Sequence, residues 1–313
     1  MHWSLRDVLG TRQRASEEEV REMAARLKGH VDVLAGLIGP RHLGKPSTME
    51  AAVAYIQRQL AAGGENVGRQ TYKAFGAETC NLIVERRGTG RAAEIVVVGA
   101  HYDTVPETPG ADDNASAVAM LLEVARLTAG VRMRRTVRFV AFSCEEPPHF
   151  YTDTMGSDQY ARACRKAGEN VVGMLCLEMV GFFSDAPESQ QIPPGIPRFL
   201  RRAFPARGNF LTAVGNLKSV RLLWAFRRGF KKRSALPLYT VALPERIHEI
   251  RLSDNGSFWD FGYPALMITD TSFLRNPHYH LASDKPETLD YGRMAQGTLG
   301  VAGAVERIGK ATA

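Results

Sequence analysis

The sequence predicts an α/β fold, a three-layer αβα sandwich around a mixed, mostly parallel central sheet. Three observations carry that prediction. Helical and strand periodicities alternate along most of the chain, one strand is apolar on both faces, and acids and histidines recur where strands end.

Composition agrees. Of 313 residues, 44% are hydrophobic and 23% charged, a balance that excludes disordered, collagen-like and small disulfide-scaffold classes. No uncharged apolar run approaches the roughly 18 residues that span a bilayer, so no transmembrane segment is expected. The opening MHWSLRDVLG lacks the apolar core of a secretory signal, and a soluble protein is expected. Cys80, Cys144, Cys164 and Cys176 form neither zinc-knuckle pairs nor a disulfide framework. They read as buried free thiols, the usage of a reducing compartment. A trimmed signal would leave no trace, so localisation stays open, as does oligomeric state.

Taken in order, Ser16 and Glu19 have capping-box spacing, and Val20, Met23, Ala24, Leu27, Val31 and Leu34 follow at helical intervals. Ser47 and Glu50 repeat the start signal, with Met49, Val53, Ile56 and Leu60 on one stripe until Gly63-Gly64. Short β-rich segments follow near 68–75, 80–86 and 94–100, and Ile95 to Val98 is apolar on both faces, as a strand in a covered sheet must be. A helix is expected at about 115–128, a strand at 136–143, a helix near 157–167, and strands at 171–179 and over Ala265 to Ile268. A final helix at about 291–310 closes the fold. The whole chain, 1–313, is read as one domain with an elaboration at about 184–250 that carries helices near 197–204 and 217–230.

That elaboration holds the charge excess. Between Arg198 and Arg233 stand eleven basic residues and no acidic one, although Lys and Arg exceed Asp and Glu by only seven over the whole chain. Such a run suits nucleic acid or an anionic membrane, but no nucleic-acid-reading module accompanies it. It reads as a solvated helix face, with Phe199, Phe204, Phe210, Leu222, Leu223, Trp224 and Phe226 packing the segment onto the sheet. Nucleic acid is not expected as a partner.

The chemistry lies at the strand ends. One strand runs into His101 and Asp103, another into Glu145-Glu146 and a third into Glu178, while His280 follows the last strand after one loop. In an open α/β sheet such residues converge on one crevice outside the carboxyl ends of the strands. Imidazole and carboxylate together suit zinc. Two zinc ions about 3.5–4 Å apart need a bridging carboxylate, which Asp112 and Asp113 in the loop from Gly110 to Ser116 offer. Asp103 is placed to accept the second imidazole N–H of His101 and so fix its tautomer.

Six stretches, in order, carry a resemblance: Val98 to Asp103, Gly110 to Ser116, Ser143 to Glu146, Leu177 to Met179, Ser253-Asp254-Asn255 ahead of Phe258-Trp259, and Asn276 to His280. Over about 80–291 the chain is similar to the co-catalytic zinc aminopeptidases. That family includes the bacterial leucyl aminopeptidases, with glutamate carboxypeptidase, glutaminyl cyclase and the transferrin receptor as relatives, and its fold is the zinc-peptidase, phosphorylase/hydrolase-like sandwich. The resemblance implies two zinc ions per chain, one held by His101, Asp113 and Glu178 and the other by Asp113, Glu146 and His280, with Asp113 as bridge. Asp112 and Asp254 would support the ligands from behind. Glu145 would be the general base, Tyr279 a hydrogen-bond donor to the oxyanion, and the Asp113–Asn114 peptide cis. Glu178 stands where the family usually has Asp, Ala117 where it has Gly and Asn255 where many members have His.

The reaction implied is removal of single residues from the free amino terminus of short peptides, by a water that zinc activates. Three rivals share the scaffold. A glutaminyl cyclase-like transferase would use one zinc, a binding protein like the transferrin receptor's ectodomain would have lost ligands, and a dipeptidase or carboxypeptidase would need a cation for the substrate carboxylate. The arginines of 198–233 are candidates for that cation.

Overall fold

The computed structural model describes residues 14–193 and 204–311. One eight-stranded sheet organises them, from β1 (Val67–Ala74), β2 (Ala77–Arg86), β3 (Arg91–His101), β4 (Arg135–Phe142), β5 (Asn170–Glu178), β6 (Leu211–Asn216), β7 (Leu238–Leu243) and β8 (Ala265–Thr269). Their spatial order is β1-β2-β4-β3-β5-β8-β6-β7. The four central strands β4, β3, β5 and β8 run parallel, β2 and β6 flank them antiparallel, β1 is antiparallel to β2, and β7 is parallel to β6.

Helices cover both faces. On one side lie α1 (Glu17–Val31), α2 (Pro46–Ala61), α3 (Ala117–Thr128), α5 (Val220–Arg233) and α7 (Tyr291–Lys310); on the other lie α4 (Gly156–Lys166) and α6 (Asn255–Asp260). The two-sided apolar runs are explained by this. Val96, Val98, Leu175 and Leu177 pack under the first layer, and their neighbours Ile95, Val97, Met174 and Cys176 under the second. Because side chains alternate along a strand, both sets must be apolar when both faces are covered.

The first helix starts as expected, with Glu19 N–H donating to Ser16 Oγ at 3.1 Å and Ser16 N–H to Glu19 at 2.9 Å. The second does not. It begins at Pro46 with no side-chain cap, so Ser47 lies within its first turn. Proline supplies the start there, since its fixed φ suits the first turn and it has no N–H to satisfy.

In the stretch 184–250, the helix expected near 217–230 is present as a short 3₁₀ turn, Leu217–Ser219, leading into α5. The one expected near 197–204 falls almost wholly outside the described residues. Two strands, β6 and β7, were not foreseen. One packing expectation fails: Phe210, Leu222, Leu223 and Phe226 are buried, but Trp224 is 63% exposed, on the side of α5 that faces away from the sheet. All four cysteines are buried and free.

Candidate metal centre

The parallel strands deliver the candidate residues to one edge of the sheet. His101 is the last residue of β3, Glu178 the last of β5, Glu145-Glu146 follow β4, and His280 follows β8. At three of these places the chain takes a left-handed bend outside glycine: Cys144 (φ 60°), Met179 (φ 45°) and His280 (φ 58°). Such backbone costs of order 1–3 kcal/mol per residue and collects at functional sites. The loop Ala111–Ser116 brings in Asp113, and the Asp113–Asn114 peptide is cis. Gly110 opens that loop at φ 60°, where a Cβ would lie 2.3 Å from the Asp113 carbonyl oxygen. Only glycine fits.

The side chains meet as two groups that share Asp113. His101, Asp113 and Glu178 offer ligand atoms within 4.8 Å of one another, and so do Asp113, Glu146 and His280. His101 Nε2 is 3.4 Å from both Asp113 Oδ1 and Glu178 Oε2. His280 Nε2 is 3.1 Å from Asp113 Oδ2 and 3.3 Å from Glu146 Oε2. Asp113 thus turns one oxygen to each histidine. Glu145 stands beside the first group, 3.8 Å from His101 Nε2. Among the described residues neither His101 Nε2 nor Glu146 Oε1 has a hydrogen-bond partner, although both are buried. Unpartnered polar atoms on mixed nitrogen and oxygen donors, aimed at common points, are what a zinc site requires.

A layer of fixed groups holds these residues. Asp103 accepts the backbone N–H of Glu145 and of Glu146, both at 3.1 Å, and so clamps the turn after β4. Its carboxylate is 3.5 Å from His101 Nδ1, and the nearer acceptor for that nitrogen is its own carbonyl at 3.2 Å. The tautomer is thus held more by backbone than by carboxylate. Ser253 donates to Glu178 at 2.6 Å, fixing the longer side chain that stands in place of Asp. Asp112 points away from the two groups, accepting from Gly181 N–H and the Asn276 amide. Asp284, which had no part in the sequence reading, accepts the N–H of Asp112 and of Asp113. Asp254 is fully buried, and among the described residues neither carboxylate oxygen has a hydrogen-bond partner.

Arg41 was also missed. Wholly buried, it donates to five carbonyls, those of Leu34, Gly39, Tyr102, Pro109 and Gly110. No local pattern marks it, since its partners lie up to 69 residues away.

The electrostatics follow from crowding. Burial, reinforced by Glu146, Glu178 and Asp254, lifts the Glu145 carboxyl well above its usual range against the pull of His101. Burial and Asp113 lift Glu146 to about 7. Burial would depress His280, yet Asp113 and Glu146 raise it to about 10. Burial would likewise depress His101, and Glu145 and Glu178 carry it well above its usual value. Asp113 itself, despite burial, is held down by the two histidines. Burial lowers Arg41 to about 10, with Asp103 and Asp284 opposing, so it stays charged at neutral pH.

A cavity of about 370 Å³ opens from Asp113, Glu145, Glu146 and Glu178 and runs along Phe150, Phe210, Val241, Ile250 and Met267. Among the described residues no Lys or Arg lines it, whereas Glu249 adds a further carboxylate. Tyr279 also lines it, its ring stacked on His280 at 3.7 Å between centroids. His149 and His278 bond to hydroxyls of Thr154 and Ser283, away from both groups.

Comparison with known proteins agrees with this arrangement. The chain is 33% identical over 283 residues to YfbL of Escherichia coli (strain K12), covering 88% of this chain and 85% of YfbL. It is 27% identical over 278 residues to leucine aminopeptidase 1 of Trichophyton equinum, covering 83% and 67% of the two chains. The zinc aminopeptidase BSAP from Bacillus subtilis superposes with a TM-score of 0.72 at 16% identity, over 92% of this chain and 95% of that one, and so has the same fold. The sequence model of peptidase family M28 matches residues 81–305, which contain both groups of candidate ligands, and the chain belongs to that family.

Proposed function

We propose that the protein is a zinc aminopeptidase, with two zinc ions held by His101, Asp113 and Glu178 and by Asp113, Glu146 and His280. The observation that carries this reading is the sharing of Asp113, one carboxylate oxygen turned to each histidine. Bound there, zinc supplies a Lewis acid for the scissile carbonyl and lowers the pKa of the attacking water.

The chain's own groups do the rest. Glu145 takes a proton from the attacking water and returns it to the departing amine, a role that suits a buried carboxyl with a raised pKa. Tyr279 donates its phenolic hydrogen to the oxygen that gains charge; burial and the nearby carboxylates keep that phenol protonated. The cavity walls exclude water and take the side chain of the terminal residue. Glu249, a lining carboxylate outside the metal centre, and the lack of a lining cation among the described residues favour a substrate ammonium over a substrate carboxylate. This supports an aminopeptidase over a carboxypeptidase or dipeptidase.

The test is amine release from a panel of aminoacyl anilides and free dipeptides, with and without a chelator, on protein of known zinc content. Chelator-sensitive anilide cleavage at about two zinc ions per chain is expected. Silence on every anilide would overturn the assignment: cleavage of dipeptides alone would indicate a dipeptidase, and a single zinc with glutamine cyclisation would indicate the transferase.

A further inference from the structure

Helix α5 buries one face and leaves the other without a partner. Leu222, Leu223, Phe226, Gly229 and Phe230 point inward, where α5 packs against α7 and the sheet. Outward, on one stripe at three- and four-residue spacing, come Leu217, Val220, Arg221, Trp224, Arg227, Arg228 and Lys231, with Lys218 and Lys232 alongside. All nine are exposed.

The stripe is distinctive in charge and in polarity. None of its six cations, Lys218, Arg221, Arg227, Arg228, Lys231 and Lys232, has an ion-pair partner among the described residues, and the segment from Arg198 to Arg233 contains no acid. α1, α4 and α7 each have an exposed cation paired with an acid four residues away, as in Lys28–Asp32, Arg162–Asp158 and Lys310–Glu306, whereas α5 contains no acid to form such a pair. An ordinary solvated face intersperses both signs; this one does not. Three apolar side chains also stand in solvent here, Leu217 at 62% exposed, Val220 at 38% and Trp224 at 63%. Trp224 has Arg228 above its ring at 6.0 Å.

We infer that this face of α5 docks the protein on an anionic phospholipid surface. Basic side chains are drawn to negatively charged headgroups, and a tryptophan beside aliphatic residues partitions at the level where headgroup meets acyl chain. Charge alone would suit nucleic acid equally; the exposed Leu217, Val220 and Trp224 decide for lipid. The topology permits docking and turnover together. α5 packs on the sheet face that carries Leu211, Ala213 and Leu238, whereas Val214, Val241, Ile250 and Met267, which line the cavity, belong to the opposite face. Lipid against the outward side of α5 therefore leaves the cavity open.

The experiment is co-sedimentation of the full chain with vesicles of phosphatidylcholine and phosphatidylglycerol, against vesicles of phosphatidylcholine alone, at low and high salt. Binding to the anionic vesicles only, weakened by salt, is expected. R227E/R228E should reduce partitioning at least roughly tenfold and W224S should reduce it severalfold, both with unchanged melting temperature. The melting temperature keeps the result independent of the peptidase reading. Equal recovery with neutral vesicles, no recovery with either, or full binding by both variants would overturn the proposal. Retention of duplex DNA without vesicle binding would also overturn it and make the face a nucleic-acid surface.

Discussion

Two buried clusters of charge lie in this molecule, and they are balanced in opposite ways. Under the helical layer, Glu123 is almost wholly buried and accepts from Arg26 at 2.9 Å, from His30 at 3.0 Å and from Arg126 at 2.7 Å. Burial would raise its pKa, yet those partners bring it down to about 2. At the sheet edge, Asp113, Glu145, Glu146 and Glu178 crowd round two histidines, and the carboxyls of Glu145 and Glu146 are pushed up. The first cluster contains its own counter-charge. The second leaves ligand-type atoms unpartnered and fits a cation from solution, which is how a structural ion cluster and a candidate metal site are told apart in one chain.

Substitutions can break that contrast, the largest effect coming from the shared ligand. Asp113→Ala should abolish measurable turnover and bring bound zinc below one per chain, as metal analysis would register, whereas Glu123→Ala should leave zinc content unchanged. Glu145→Gln should reduce kcat by roughly 10²–10⁴-fold with zinc retained; metal loss in that variant would make Glu145 a ligand. Ser253→Ala, which strips the donor from Glu178, should weaken zinc affinity by about 10-fold in a competition titration. Glu123→Ala should cost about 2–3 kcal/mol, less than a fully enclosed pair because Arg26 and Arg126 can turn to water, with activity intact below the melting transition.

The smallest effect is in pH, and the two clusters have opposite signs. Glu123 has a folded pKa below its ordinary value of 4.5, so its contribution is present above that value and is lost as pH falls toward 2. Asp254 and Asp284 are raised by burial from 3.8 to about 7, so in metal-free protein their contribution is present below 3.8 and is lost as pH rises through 7. Chelated protein should therefore melt a few degrees lower at pH 8 than at pH 5. Zinc-loaded protein should show a smaller difference, because cations held beside these buried carboxyls favour their ionised forms.

Much of this was legible in the sequence where a local rule applied. The capping box at Ser16, the double-faced strands and the candidate ligands at strand ends each follow from spacing or from motif. What escaped has non-local causes. β6 and β7 are six residues each, too short to declare a period, and are made strands by pairing with β8 and with each other. Trp224 is an exception of another kind: it lies two residues from both Leu222 and Phe226, on the opposite side of α5, and reading hydrophobicity without that spacing misplaced it. Asp103 was expected to serve His101, and its carboxylate does lie 3.5 Å from Nδ1, but it also accepts from the backbone of the next strand's turn, a second role that depends on how β3 lies beside β4.

Arg41 has a consequence for how this fold can be divided. The family's sequence pattern begins at residue 81, and a fragment starting there would carry every candidate ligand, the base and the tyrosine. It would lack the guanidinium that ties Leu34 and Gly39 to Tyr102, Pro109 and Gly110. The smallest autonomous unit is therefore larger than its motif, since the carbonyls of the metal loop would face an empty space where a cation had been. Transplanting the active site to another scaffold would mean moving the N-terminal helices as well, although they contribute no atom to the chemistry.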